Sequence, residues 1–139
     1  MNRVIGIDYG KKRVGVAVTD PCGIVATALG TVASNEIYKF LEEYFKREQV
    51  DTIVVGHPKQ MDNSDSQSMT YITPFVKALT RKFPDKKIEM YDERFTSVLA
   101  HKALIEGGAK KHVRQDKALI DSMSAVIILN SWLESKKNF

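Results

Sequence analysis

The chain has 139 residues, of which 43% are hydrophobic and 27% are charged. This length and composition fit one globular domain spanning residues 1–139, and they exclude a disordered or fibrous protein. The 21 basic and 17 acidic residues leave a net charge of +4, which permits a polyanionic partner such as nucleic acid without requiring one.

Cysteine content and hydropathy indicate where in the cell the protein is located. Cys22 is the only cysteine, so the chain can form neither an intramolecular disulfide nor a thiolate metal cluster, and a thiol nucleophile is a poor candidate. The first residues lack the length and composition of a signal peptide. No apolar run approaches the roughly 20 residues of a membrane span. We therefore predict a cytoplasmic protein.

The beginning of the chain predicts three antiparallel strands. Residues 3–8 and 13–19 are rich in Val and Ile, and they flank a tight turn at residues 9–12. A second turn at residues 20–23 contains Pro and Gly, and a third strand over residues 24–32 continues the meander.

Helices and strands alternate after this meander. Ser34 or Asn35 can cap a helix whose apolar residues recur at the helical period. A β-branched run over residues 50–56 predicts a strand buried on both faces, and the polar residues 57–66 after it predict a loop at the edge where open α/β sheets bind ligands.

A second helix carries an apolar stripe from Met69 to Phe83. Pro74 interrupts it, because an interior proline loses a backbone hydrogen bond and clashes with the preceding turn. Either the helix kinks at Pro74 or its regular part begins there. A strand over residues 87–91 follows.

Two further helices complete the chain. Thr96 or Ser97 caps the first, which ends at the glycines 107–108, and the last covers about 116–135. Because the last helix is apolar almost all the way round, we expect it to be buried. The order β-β-β-α-β-α-β-α-α predicts an α/β fold with a five-stranded mixed sheet, strand order 3-2-1-4-5, and helices on both faces.

Three acids stand where the ends of these elements meet. Asp8 and Glu93 come at strand ends, and Asp121 lies on an apolar helix where an unpaired carboxylate is costly. Each has a simpler explanation: Asp8 as a turn acid, Glu93 paired with Arg94, and Asp121 near the positive end of its helix with Asp116. Together they predict one site for Mg²⁺ or Mn²⁺, because both ions prefer oxygen ligands. Two such ions about 4 Å apart promote phosphodiester cleavage, which favours a nuclease.

Basic residues are candidates to bind flanking phosphates, although charge runs are more often plain solvated surface. His57, in the loop after the buried strand, is a candidate for proton transfer, but a structural histidine is the commoner case. The candidate phosphate-binding residues are Lys11, Lys12, Arg13, Arg94, Lys110, Lys111, Arg114 and Lys117.

Four segments in order resemble the YqgF family, also called RuvX-like, of Holliday junction resolvases and pre-16S rRNA nucleases. The segments are residues 6–20, residues 55–58 with 61–62, residues 92–97 and residues 120–129. The departures from the family pattern lie in the middle loop, with His57 where the family usually has Leu and residues 60–64 where it usually has Asn-Met-Asp-Gly-Thr.

The resemblance implies a ribonuclease H-like fold, a bacterial cytoplasmic location, and a role in maturing the 5′ end of 16S rRNA, with ribosomal precursor particles as partners. It also implies that Asp8, Glu93 and Asp121 are the catalytic acids. Four-way DNA junctions are the alternative substrate, and they require a homodimer where the RNA substrate permits a monomer. A nucleic-acid-binding module without catalysis is a third hypothesis. Phosphotransfer is a fourth, since residues 6–10 also resemble a phosphate loop of actin-like ATPases, but those folds need two such domains.

Overall fold

The structure is a computed structural model that describes residues 2–57, 69–92 and 117–137. Its sheet has the predicted strand order β3-β2-β1-β4-β5. Strand β1 pairs antiparallel with β2 and parallel with β4, β2 pairs antiparallel with β3, and β4 pairs parallel with β5. In chain order the elements are β1 Arg3–Tyr9, β2 Arg13–Thr19, β3 Ala26–Ala33, α1 Ile37–Arg47, β4 Val50–His57, α2 Met69–Lys82, β5 Lys87–Asp92 and α3 Lys117–Lys137.

Gly10 closes the turn between β1 and β2. Its N–H donates to the Arg13 carbonyl at 2.9 Å. A Cβ at Gly10 would lie 2.5 Å from the same carbonyl oxygen, closer than non-bonded atoms can approach. The turn therefore requires glycine at this position.

The turn between β2 and β3 is organised by Asp20. The Asp20 carboxylate accepts hydrogen bonds from the N–H groups of Ile24 and Val25, at 2.7 and 2.9 Å. These two donors hold the pKa of Asp20 below its usual range. Because the N–H groups of Ile24 and Val25 bond the Asp20 carboxylate in this turn, β3 begins at Ala26, and the predicted start at residue 24 is wrong.

One face of the sheet carries large apolar side chains and is covered by α1 and α2. Alternation along β1 directs Ile5 and Ile7 to this face, and both are fully buried. From the helices, Leu41 of α1 and Phe75 of α2 reach the same core. This face holds most of the buried apolar volume of the described residues.

The other face carries small side chains and is covered by α3. Gly6 and Ala17, which are paired across β1 and β2, lie here. A Cβ at Gly6 would lie 2.8 Å from the Leu129 Cβ and 3.2 Å from the Ala125 carbonyl oxygen, so α3 packs closely on β1 only because residue 6 is glycine. Helices therefore cover both faces, as predicted.

The prediction that Ser34 or Asn35 caps α1 is wrong. A short 3₁₀ turn, Ser34–Glu36, precedes the helix, and neither it nor α1 has a side-chain cap. The Ser34 hydroxyl instead donates to the Lys11 carbonyl at 2.8 Å, and the Ser34 N–H donates to the Lys12 carbonyl at 3.0 Å. Ser34 thus holds the β1–β2 turn.

The structure decides one helix prediction and corrects another. Of the two alternatives at Pro74, a helix whose regular part starts at the proline is excluded, because α2 runs from Met69 to Lys82 with Pro74 inside it. Helix α3 is not buried all round: Ala125 and Leu129 are buried on the sheet, whereas Asn130 and Glu134 are exposed. None of the described helices is both long and apolar enough to cross a membrane. The helix predicted from Thr96 or Ser97 to residue 106 lies outside the described residues.

Candidate nuclease site

Asp8 lies near the carboxyl end of β1, the central strand of the sheet. It is two residues after Gly6, so its side chain lies on the same face as α3. Asp8 pairs with Gly15 on β2, and Gly56 of β4 is one residue beyond the pair Ile7–Val55. Both sheet neighbours of Asp8 on this face are therefore glycines, which have no side chain.

The carboxyl end of β5 meets the same edge of the sheet. Gly56 pairs with Tyr91, and His57 pairs with Asp92, the last residue of β5. Adjacent strands are about 4.8 Å apart, so β5 lies about 10 Å from β1. Glu93, the second predicted acid, follows Asp92 directly in the chain but lies outside the described residues, as does the side chain of His57.

The backbone of Asp121 belongs to α3, the helix that covers the Asp8 face. Asp121 is four residues before Ala125, or about 6 Å along the helix axis from the contact with Gly6. Asp8 is about 7 Å along β1 from that same contact. On the helical period Asp121 shares a face with Ala125 and Ile128, which are buried. The structure does not describe the side chain of Asp121.

The structure thus brings Asp8 and the helix bearing Asp121 to one face, and ends β5 at the same edge immediately before Glu93. Within residues 2–57, 69–92 and 117–137, no three His, Cys, Asp or Glu side chains form a group that could hold a metal ion. The predicted three-acid site stays a prediction, because Glu93 and the side chain of Asp121 are not among the parts that the structure describes.

Three of the candidate phosphate-binding cations lie in or next to the β1–β2 turn. Lys11 and Lys12 are exposed in the turn held by Ser34, and Arg13 is exposed at the start of β2. Arg13 is two residues before Gly15 and therefore shares the face of Asp8. Lys117 is the first residue of α3, while Arg94, Lys110, Lys111 and Arg114 lie outside the described residues.

An aromatic cluster that begins at Tyr9, on the opposite face of the sheet from Asp8, was not predicted from the sequence. The Tyr9 ring stacks on Phe75 with centroids 4.0 Å apart, and Tyr71 and Tyr38 lie against the same pair. Burial raises the pKa of both Tyr9 and Tyr38. Tyr9 directly follows Asp8, and strand alternation assigns its side chain to the opposite face of the sheet. This placement could be predicted from the sequence, but the ring contacts of Tyr9 with Phe75 and Tyr71 could not.

Solved structures share the fold. RuvC from Thermus thermophilus in complex with a Holliday junction substrate matches with a TM-score of 0.60 and 15% identity, covering 99% of this chain and 97% of that one. A second Thermus thermophilus RuvC structure matches with a TM-score of 0.55 and 16% identity, covering 98% and 96%. With the observed strand order, these matches confirm the expected ribonuclease H-like fold.

Curated relatives are similar over nearly their whole length. A protein of Phocaeicola vulgatus named "Putative pre-16S rRNA nuclease" is 56% identical over 99% of both chains. Proteins with the same name from Parabacteroides distasonis and Christiangramia forsetii are 55% and 51% identical, covering 99% and 96% of this chain and 98% of each relative. The family model described as "RuvX: Holliday junction resolvase" matches residues 2–135, and the chain belongs to this RuvX family.

Proposed function

We propose that the chain is a divalent-metal-dependent endonuclease that cleaves phosphodiester bonds in structured RNA and matures the 5′ end of pre-16S rRNA in the bacterial cytoplasm. The observation that carries this proposal is the position of Asp8, at the end of the central strand, between two glycines and beneath the helix that bears Asp121. The names of the relatives support the RNA substrate.

The surroundings of Asp8 fit a divalent metal. Carboxylate oxygens are the ligands that Mg²⁺ and Mn²⁺ prefer, and the sheet neighbours Gly15 and Gly56 place no side chain beside Asp8. Asp8, Glu93 and Asp121 would hold one or two such ions. When bound, the ions supply Lewis-acid stabilisation of the charge that develops on the phosphate oxygens.

The protein itself contributes rigidity and positive charge. The backbone of β1 is paired on both sides up to Ile7, and Asp8 itself pairs with Gly15, so its carboxylate extends from a rigid backbone. Lys11, Lys12 and Arg13 bring three cations to the same end of β1, on a turn anchored through Ser34. These cations would bind the phosphates next to the cleaved bond. Arg94, Lys110, Lys111, Arg114 and Lys117 are proposed to extend that contact.

A second candidate function keeps the chemistry and changes the substrate to four-way DNA junctions. The description of the matching family favours it, and the RuvC structure that shares this fold was solved with a Holliday junction. Symmetric cutting of two strands requires two active sites, so this function predicts a homodimer. Binding without cleavage, the non-catalytic alternative, predicts that Mg²⁺ has no effect on the bound nucleic acid.

The decisive experiment compares two substrates under one set of conditions. A precursor 16S rRNA fragment and a four-way DNA junction are incubated with the protein in Mg²⁺, in Mn²⁺ and in chelator. We expect metal-dependent cutting of the RNA at its 5′ precursor sequence and none in chelator. Cutting of the junction alone, by a dimer, would replace the RNA nuclease with the resolvase, and binding of both without cutting would leave the non-catalytic module.

Asp8→Asn isolates the predicted acid. We expect it to reduce cleavage at least about 1,000-fold, the scale seen when a group acting in the chemical step is removed, while the melting temperature falls little. Asp51→Asn is the matched control, because Asp51 is exposed near the opposite end of the sheet in β4 and its loss removes the same charge. Equal activity of the two variants would remove Asp8 from the mechanism.

A further inference from the structure

Three half-buried tyrosines lie on the face of the sheet opposite to Asp8, close to the same end of β1. Tyr9 lies on the face covered by α1 and α2, where its ring centroid is 5.9 Å from that of Tyr71. The Tyr38 ring is 5.8 Å from Phe75, on which Tyr9 stacks. Phe75 is buried, whereas the three tyrosines keep part of their surface in solvent. The cluster therefore begins one residue from Asp8 and opens to solvent.

The hydroxyl groups of this cluster are suited to donate hydrogen bonds. Burial raises the pKa of Tyr9, and the nearby Tyr71 raises it further. Burial and the neighbouring Tyr9 raise the pKa of Tyr38, while Arg81 acts in the opposite direction. Both hydroxyls consequently stay protonated across neutral and mildly alkaline pH, as donors that sugar and phosphate oxygens can accept.

The same flank of α2 is positively charged. Helix α2 contains Lys77, Arg81 and Lys82 and no Asp or Glu. The Lys82 Nζ lies 5.1 Å from the centroid of the Tyr38 ring. The next acid along the chain, Asp85, accepts from the Lys86 ammonium at 3.1 Å. The cations beside the tyrosines are thus not neutralised from within their own helix.

We propose that Tyr9, Tyr38, Tyr71, Arg81 and Lys82, together called the tyrosine surface, bind a single nucleic-acid strand that flanks the bond to be cut. Cations interleaved with aromatic rings are the combination that holds single strands, because phosphates meet the cations while unpaired bases contact the rings. A duplex keeps its bases stacked inside, where they cannot contact the rings, so we assign this surface to a single-stranded extension and not to the duplex. This inference rests on the proposed function, since it follows the substrate strand away from Asp8.

Continuity with the candidate site supports this path. Adjacent Cα atoms in a chain are about 3.8 Å apart, and side chains of successive strand residues lie on opposite faces. A nucleic-acid strand that passes over the end of β1 at Asp8 would therefore reach Tyr9 next, and then Tyr71 of α2 and Tyr38 of α1. The lysines of the β1–β2 turn and the tyrosine surface would hold the two parts of the substrate on either side of the cleaved bond.

Binding in chelator tests the tyrosine surface without requiring cleavage. Fluorescence anisotropy is measured for a blunt RNA duplex and for the same duplex with a single-stranded extension on its 5′ or its 3′ side. For Arg81→Gln with Lys82→Gln we expect about tenfold weaker binding of one extended RNA and a salt dependence flatter by about 1 to 2 in slope, because one or two phosphate contacts are lost. Binding of the blunt duplex should not change.

Removing hydroxyls while keeping the rings gives a different signature. Tyr38→Phe with Tyr71→Phe should weaken binding of the same extended RNA about 3- to 10-fold, the scale of one or two neutral hydrogen bonds. Its salt slope should match that of the unchanged protein, because neutral hydrogen bonds release no counterions.

Helix α1 offers matched controls. Lys46→Gln with Arg47→Gln removes the same two charge types from exposed positions, and Arg47 also lies over a tyrosine ring, 5.5 Å from the centroid of Tyr44. Tyr44→Phe removes a hydroxyl outside the surface. Both controls should change the affinity for extended RNA less than about twofold. Melting temperatures of all variants confirm that they are folded.

The outcomes separate this proposal from the proposed function. If the Arg81 and Lys82 variant binds extended RNA no worse than the α1 control, or loses equal affinity for the blunt duplex, the tyrosine surface is refuted even when the protein is an active nuclease. If the extension-specific loss is seen in a protein that cuts neither substrate, the surface stands and the nuclease proposal fails.

Discussion

The two faces of the sheet are built from opposite kinds of residue, although they alternate along the same strands. On β1, Ile5 and Ile7 turn to the face covered by α1 and α2, while Val4, Gly6 and Asp8 turn to the face covered by α3. On β2 the same alternation separates valines from Gly15 and Ala17. One face therefore carries the apolar volume, and the other carries small side chains and the candidate catalytic acid.

Because of this difference, residues that stabilise the fold and the candidate catalytic acid alternate along the same strand. The large side chains bury most of the apolar area, which is the main source of folding free energy. The small ones let α3 approach β1 closely at Gly6, and Asp8 pairs with a glycine. Strand alternation thus places the candidate metal-binding carboxylate on a rigid strand without removing a large apolar residue from the main core.

The strongest test of this division is a cavity on the face with large side chains. Ile7 is fully buried there, and Ile7→Ala should reduce the free energy of unfolding by about 2 to 5 kcal/mol, because it loses apolar burial and leaves a void. Chemical denaturation with urea measures the change. The variant should keep its cleavage activity at temperatures where it is folded.

Val4→Ala on the opposite face of the same strand is the comparison. Val4 is 8% exposed and packs in the smaller cluster under α3, so we expect a loss of about 2 kcal/mol or less. A loss at Val4 that equals or exceeds the loss at Ile7 would contradict the view that the two faces differ in their contribution to stability.

Much of the fold could be predicted because it depends on local pattern. Runs rich in Val and Ile between turn residues indicated the strands, and helical periodicity indicated α1 and α2. Asp8 could be identified because its position at a strand end is a local property. The strand order 3-2-1-4-5 followed from the hairpins and from the helical crossovers, which favour antiparallel and parallel pairing respectively.

What could not be predicted depends on residues far apart in the chain. The Ser34 hydroxyl had a plausible local partner at the start of α1, yet it bonds the Lys11 carbonyl, 23 residues away. The tyrosine surface combines β1, α1 and α2, and no periodicity within one element shows that these rings meet. The need for glycine at position 6 likewise arises from Leu129, at the other end of the chain.

Gly6→Ala tests the close approach of α3, with an intermediate expected effect. The added methyl group would lie 2.8 Å from the Leu129 Cβ, so the helix must shift away from β1. Overpacking of this kind typically costs about 1 to 3 kcal/mol of unfolding free energy. Because α3 also bears Asp121, we expect cleavage to fall in the folded variant, which Ile7→Ala should not show.

Two measurements on Gly6→Ala and Ile7→Ala test this prediction. Stability is measured by urea denaturation, and cleavage is measured at a temperature where both variants are fully folded. If Gly6→Ala keeps full cleavage activity despite its lost stability, the spacing between α3 and β1 does not control the site. If it loses neither stability nor activity, the close contact with Leu129 has no energetic consequence.

The smallest expected effect concerns alkaline pH and again belongs to the face with large side chains. Burial raises the pKa of the Tyr44 hydroxyl; Arg3 opposes this rise, and Glu48 adds to it. The folded protein therefore holds the Tyr44 proton more tightly than the unfolded chain does. The resulting stabilisation is fully present below the unfolded pKa of about 10 and is lost as pH rises through the folded value.

Tyr44→Phe has no proton to lose at this position, so its stability should fall less than that of the unchanged protein as pH rises from 8 towards 11. Urea denaturation of both proteins across that range measures the difference, which should be constant on the neutral side and then move in favour of the variant. The change should be smaller than the losses expected for Ile7→Ala and Gly6→Ala, because only the Tyr44 hydroxyl contributes to it. Parallel stability curves would show that desolvation of Tyr44 is not coupled to folding, and that the core under α1 and α2 tolerates the tyrosinate as well as the unfolded chain does.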